Sequence, residues 1–185
     1  MGRSISHCSG VFALAVFALT TSLNIAEAEQ PHLLIASRPD PALPELQRLE
    51  RYVGTWTTTM HRKAEAKSYR VEARVDWILG GKFLRSTYEG DGMDGLTLTT
   101  YDKQTQRYRR WQYDAAGKVT EFTGTWDKAA QTLRFEHVSP DESYRVVVES
   151  QLDAAGRSER FSVVVRDRDG QELDEFSGTS ERHAR

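Results

Sequence analysis

Hydrophobic and polar residues alternate with a period of two along most of the chain. Val71, Ala73, Val75 and Trp77 fall on one face of an extended segment, and Glu72, Arg74 and Asp76 fall on the other. That is the pattern of a half-buried strand, because successive side chains of extended backbone point to opposite sides. The same texture predicts strands around Phe83–Glu89, Leu96–Tyr101, Tyr108–Tyr113, Val119–Gly124, Thr132–Val138, Tyr144–Leu152, Phe161–Arg166 and Leu173–Gly178. A first strand carrying Trp56 brings the number to about ten.

Short turn signals separate these segments: Gly80-Gly81, Gly90-Asp91-Gly92, Asp102 to Thr105, Asp114 to Gly117, Asp127 to Ala130, Ser139-Pro140-Asp141, Asp153 to Gly156 and Asp167 to Gly170. An aspartate that bonds its own backbone starts such a turn, and glycine, which accepts positive φ, ends it. The Asp-rich turns lack the continuous ligand spacing of a calcium loop, so hairpin turns are the reading adopted. Gly80-Gly81 joins strands ending in Trp77 and Phe83, and both rings are expected to reach a common core.

A meander of short antiparallel strands must bury one face of its sheet and protect two edges, and closing the sheet does both. The expected fold is therefore all-β, an antiparallel up-and-down barrel of about ten strands, with a β-sandwich as the rival. Before it, Pro44 to Leu49 reads as a short helix entered by proline, with Leu46 and Leu49 on one face, placed to close one end. Residues 29–44 read as an arm or linker, and 45–185 as the barrel domain.

The leader changes the cellular picture. Arg3, an apolar run from Val11 to Ile25 and Ala26-Glu27-Ala28 have the order of a secretory signal peptide, residues 1–28, cleaved after Ala28. The run is shorter than the ~20 apolar residues that span a bilayer. An exported protein, periplasmic or secreted, with no membrane attachment after cleavage is expected. Cys8, the one cysteine, leaves with the leader, which excludes disulfides, cysteine nucleophiles and cysteine metal ligands from the mature chain. The formal net charge of −2 with interspersed signs gives no basic stripe. Arg107, Arg109 and Arg110 form the densest basic group and read as solvated side chains of a strand, so no nucleic-acid partner is implied.

Tyr52-Val53-Gly54-Thr55-Trp56 resembles the Gly-x-Trp signature of lipocalins and related calycins. The resemblance implies that Gly54 lets the chain turn closely into the first strand and that Trp56 plugs the closed end, covered by Arg160 or Arg182. A second stretch is Trp77-Ile78-Leu79-Gly80-Gly81-Lys82-Phe83-Leu84, Tyr88, Gly90, Gly95-Leu96, Tyr101-Asp102, Tyr108, Trp111, Asp114 and Gly117. With it the chain, from about Leu49 to Gly178, resembles a bacterial lipocalin-like family of the calycin superfamily, domain-of-unknown-function family 1579. That implies a calycin barrel and supplies no catalytic residues.

The candidate chemistry is sparse. Of the histidines, His137 shares strand parity with Leu133 and Phe135 and is expected to point inward; His32, His61 and His183 fall in the arm, a strand end and the tail. No zinc spacing, hydrolase elbow or facing carboxylate pair is legible, and Glu172 with Asp174 reads as a solvated pair. Haem held through a late histidine, as in nitrobindin-like barrels, would call on His183, without the surrounding pattern. No cofactor is expected, and enzymatic activity is the less favoured class. A barrel of this size encloses either packed side chains or one small ligand. Tyr88, Tyr101, Trp111, Tyr113, His137 and Tyr144 are the expected lining of a site for a small apolar or amphipathic molecule. A filled barrel acting as a protein-interaction module is the alternative, and the sequence leaves the oligomeric state open.

Overall fold

The computed structural model describes residues 35–36, 38–65 and 67–184. The expected signal peptide, 1–28, lies outside them, as does His32. The elements run β1 (Ile35–Ala36), a 3-10 helix (Pro44–Tyr52), β2 (Gly54–Arg62), β3 (Ser68–Ile78), β4 (Phe83–Glu89), β5 (Gly95–Asp102), β6 (Arg107–Asp114), β7 (Val119–Asp127), β8 (Thr132–Val138), β9 (Tyr144–Leu152), β10 (Ser158–Asp167) and β11 (Glu172–Arg182). Strands β2 to β11 form an antiparallel ring in which each chain neighbour is a spatial neighbour and β11 returns to β2. The β3–β4 pairing, from Glu72↔Glu89 to Ile78↔Phe83, belongs to the same ring. The barrel is closed, which removes the sandwich and leaves the lipocalin-like architecture that the hairpin succession predicts.

Local chemistry sets the hairpins as expected. Asp114, Asp153 and Asp167 each accept from a backbone N–H four residues on, Lys118, Arg157 and Gln171, at 2.9, 2.7 and 2.8 Å. Asp102 and Asp127 start similar turns whose last residues, Gln106 and Gln131, take positive φ without glycine.

The helix takes the tighter 3-10 form for a reason visible in its spacing. Leu43, Leu46, Leu49 and Tyr52 recur every third residue, and a period of three aligns them along one side. Leu46 and Leu49 are buried against Trp77, Leu84, Tyr108, Phe122, Leu133 and Phe135, with Leu43 and Tyr52 alongside. Two polar ties fix the helix: the Tyr108 hydroxyl donates to the Glu45 carbonyl at 2.9 Å, and the Trp77 indole donates to the Glu50 carboxylate at 2.5 Å. Gly124 faces Tyr108 on one side and Phe135 on the other; a Cβ there would run into the Phe135 ring. A missing side chain between two large ones lets this layer close-pack.

The described residues of the expected arm lie on the barrel. Strand β1 pairs with β3 at Trp77 and Ile78, beyond the last β2 partner of β3 at Val75. The Asp40 amide donates to the Gly81 carbonyl at 2.9 Å. Gly81, at φ +79°, lies so close to the backbone of Arg38 to Asp40 that a side chain would collide with it. Phe83 corrects an expectation. Its cross-strand partner is Ile78, while Trp77 faces Leu84, so Trp77 and Leu84 point inward and Phe83 lies outside, 6.4 Å from the Trp111 ring. The turn's register assigns the two aromatic side chains to opposite faces.

Candidate functional site

The helix occupies one end of the barrel, beside the β3–β4, β5–β6, β7–β8 and β9–β10 turns. At this end Trp56 is buried, its indole N–H donating to the Tyr52 carbonyl at 2.8 Å. The Arg182 guanidinium lies over its ring at 4.7 Å and donates to the Arg51 carbonyl. Of the two arginines considered as the cover of Trp56, the late-strand Arg182 holds that place, while the Arg160 guanidinium reaches the Gln151 side chain at 3.5 Å. Gly54, at φ +146°, stands where the chain leaves the helix and enters β2.

Above this plug the barrel encloses a cavity of about 650 Å³, within the range of small-molecule sites. Its walls come from the inward positions of all ten ring strands. Toward the opposite end, where the β4–β5, β6–β7, β8–β9 and β10–β11 turns lie, the lining includes Met60, Met93, Val165 and Phe176, with Lys118, His137 and Tyr144.

Near the plug the lining is polar. The Tyr52 hydroxyl bonds Ser150 Oγ at 3.0 Å, and Ser150 donates in turn to the Glu159 carboxyl. Ser180 bonds Glu159 from the other side, and Thr58 Oγ1 lies 2.9 Å from Ser180 Oγ. Arg110 reaches in from β6, its guanidinium stacked 4.0 Å from the Phe135 ring centre and its Nε 3.4 Å from Thr99 Oγ1. Protein surrounds these groups, and each ionisable one responds as burial dictates. Burial raises the Glu159 carboxyl above the ordinary carboxylate range, against the pull of Ser150 and Arg110. Burial lowers Arg110 below the usual guanidinium value, opposed by Glu159. Burial, then the charge of Glu159, pushes the Tyr52 phenol up to about 12. Tyr88 is raised by burial too, with Gln112 bonded to it acting in the opposite direction.

The sequence-predicted lining divides. Tyr88, His137 and Tyr144 face the cavity. The His137 ring bonds the Glu121 carbonyl through Nδ1 at 2.8 Å, and burial with nearby Lys118 lowers its pKa. A carbonyl only accepts, so Nδ1 carries the proton of the neutral ring. Tyr101 points inward but belongs to the packed end, edge-on to Tyr108 at 5.1 Å. Trp111 and Tyr113 require correction: Arg110 and Gln112 line the interior, so the residues alternating with them face outward. Trp111 lies there beside Phe83 and under the Arg109 guanidinium, 5.7 Å from its ring centre.

Residue-by-residue reading missed Arg110 because it was grouped with Arg107 and Arg109 as a basic run. Its parity with Tyr108 was the available signal. Glu159, Ser150 and Ser180 gave no such signal, since their meeting depends on three strands brought side by side.

The remaining candidates lie elsewhere. His183 bonds Thr57 at 2.7 Å and lies 3.3 Å from Glu72, on the outer face. His61 bonds Ser68 at 2.9 Å. Glu172 and Asp174 pair with Lys63 and Arg62 at 2.7 and 2.8 Å. Among the described residues, no group of three or more potential metal ligands comes together.

The profile of a family described as "Protein of unknown function (DUF1579)" matches residues 42–182. No curated protein matches the chain. Among solved structures, the chain is similar to an S-type phycobiliprotein lyase from Guillardia theta. The two share 15% sequence identity at a TM-score of 0.48, over 74% of this chain and 90% of that one. It also matches a protein of unknown function from the DUF3598 family of Nostoc punctiforme, with 6% identity and a TM-score of 0.24, over 75% of this chain and 98% of that one.

Proposed function

We propose that this chain, which belongs to the DUF1579 family of proteins of unknown function, is a carrier that holds one small apolar or amphipathic molecule inside its barrel. The observation that carries the reading is the cavity of about 650 Å³ above the Trp56 plug. A space of that size in a close-packed protein is costly if it only weakens the core, because lining atoms forgo contacts they would otherwise make. A ligand supplies those contacts. The mixed wall suits an amphipathic guest, with Val71, Val75, Phe122 and Phe161 beside the hydroxyls of Tyr52, Thr58 and Ser150. A filled barrel was the premise of the interaction-module alternative, and the open interior favours the carrier.

The test is uptake of a neutral environment-sensitive dye, N-phenyl-1-naphthylamine, by the purified barrel and by an Ala73→Trp variant. Ala73 lines the cavity, so an indole there fills it. Saturable dye fluorescence in the parent, lost in a variant that keeps its β-sheet circular dichroism, is the expected result. Equal uptake by both would place the dye elsewhere and remove the reading. Native mass spectrometry of protein purified from its own host is expected to show an added small-molecule mass.

The leader pattern from Arg3 to Ala28 supports the further proposal that the carrier works outside the cytoplasm, with residues 29–44 as an arm preceding the barrel domain. N-terminal sequencing of the protein from its host is expected to begin at Glu29; a sequence beginning at Met1 or Gly2 would contradict export.

A further inference from the structure

We propose that the cavity selects amphiphiles carrying a compact anionic oxygen head group, such as a carboxylate, seated against Arg110 near the plugged end with the tail toward the mouth. This rests on the carrier reading and names the class of molecule carried.

Arg110 has the geometry of an anchor. The guanidinium carbon lies over the Phe135 ring, 4.0 Å from its centre, and a ring contact of this kind does not consume the group's N–H donors. Its one hydrogen bond among the described residues is the long Nε contact to Thr99 at 3.4 Å, and it takes part in no ion pair there. A buried cation with no directly hydrogen-bonded counter-charge is costly, and an oxyanion that accepts two parallel N–H bonds relieves it.

The rest of the lining favours an anion over a cation. Among the described residues, Glu159 is the only carboxylate on the cavity wall, and its oxygens are engaged by the hydroxyls of Ser150 and Ser180. Burial raises its carboxyl while Arg110 acts to lower it, and no salt bridge at direct contact distance joins the two, so the guanidinium N–H donors are not taken up by it. The other titratable groups on the wall are Tyr52, Tyr88, Tyr144, His137 and Lys118. Burial holds the Tyr52 and Tyr88 phenols and the His137 ring neutral near pH 7. The Lys and Arg side chains on the wall are Arg110 and, toward the opposite end, Lys118.

Position sets the orientation. Arg110 lies two residues from Tyr108, which bonds the helix, so the cation sits low in the barrel. Met60, Met93, Val165 and Phe176 line the mouth and suit an alkyl tail.

The experiment is isothermal titration of the purified barrel near neutral pH with laurate and with 1-dodecanol, two chains of equal length that differ in head charge. Laurate is expected to bind about tenfold or more tighter than dodecanol, the weight of one charge-assisted hydrogen-bonded contact. Arg110→Met is expected to erase that preference, read as the ratio of laurate to dodecanol affinity in the same variant. If that variant does not fold, Arg110→Lys, which keeps a charge but loses the stacked fork, is expected to weaken laurate alone. Equal affinity for the two probes in the parent, or an unchanged laurate preference in the arginine variants, overturns the head-group inference and leaves the carrier intact. Binding of neither probe overturns the carrier reading as well.

Discussion

Glu159 is a carboxyl whose folded environment favours its protonated form, because burial outweighs the hydroxyls and the arginine that would ionise it. The native state then holds the proton to higher pH than the unfolded chain does. Its contribution to stability is complete below the unfolded carboxyl pKa and is lost as pH rises through the higher folded value. Glu159→Gln keeps the shape without the titration. Thermal melts across weakly acidic to mildly alkaline pH are expected to show the parent losing stability relative to this variant as pH rises; parallel curves would mean that Glu159 is ionised throughout. Trp56 offers a second residue-scale test. It is buried, bonded to Tyr52 and covered by Arg182, so Trp56→Ala is expected to lower unfolding free energy by about 3–5 kcal/mol in urea titration.

At the scale of elements, the 3-10 helix forms the floor of the barrel. Leu49 is 1% exposed and contributes both to the packed end and to the cavity wall. Leu49→Ala is expected to cost about 2–5 kcal/mol, measured by denaturant midpoint, with the β-sheet spectrum retained. The arm depends on Gly81, where positive φ and the close Arg38–Asp40 backbone both exclude a side chain. Gly81→Ala is expected to detach that contact before it unfolds the ring. Hydrogen exchange would show it as lost protection at the Asp40 amide, which donates to the Gly81 carbonyl, with the β9 and β10 amides unchanged.

At the scale of the whole molecule, the β3–β4 ladder matters most. In an open meander a strand at either margin would present unpaired backbone groups; here β3 pairs with both β2 and β4, and β4 with both β3 and β5. The β4 amides facing β3 are therefore expected to exchange as slowly as those between β9 and β10. Fast exchange confined to β4 would reveal an open seam. Closure also makes the polar network. Tyr52 comes from the helix, Thr58 from β2, Ser150 from β9, Glu159 from β10 and Ser180 from β11, and they meet because β9, β10, β11 and β2 are adjacent in the ring.

Strand positions were legible from local signals. Phe83–Glu89, Thr132–Val138 and Tyr144–Leu152 have the bounds their alternation predicts, because period two and Asp-initiated turns are properties of neighbouring residues. The Leu46–Leu49 spacing likewise announced a helix at one end. The face of β6 was not legible: one side offers Tyr108, Arg110 and Gln112, the other Arg109, Trp111 and Tyr113, and hydrophobicity alone chooses the wrong one. Period two supplies two faces without saying which is inside, and the registers with β5 and β7 make that choice. Amino-acid order thus determined an up-and-down ring of strands with a plugged end. Only the assembled barrel decided that its centre is hollow and that Arg110 faces it, because enclosed volume and buried charge arise from residues distant in the chain.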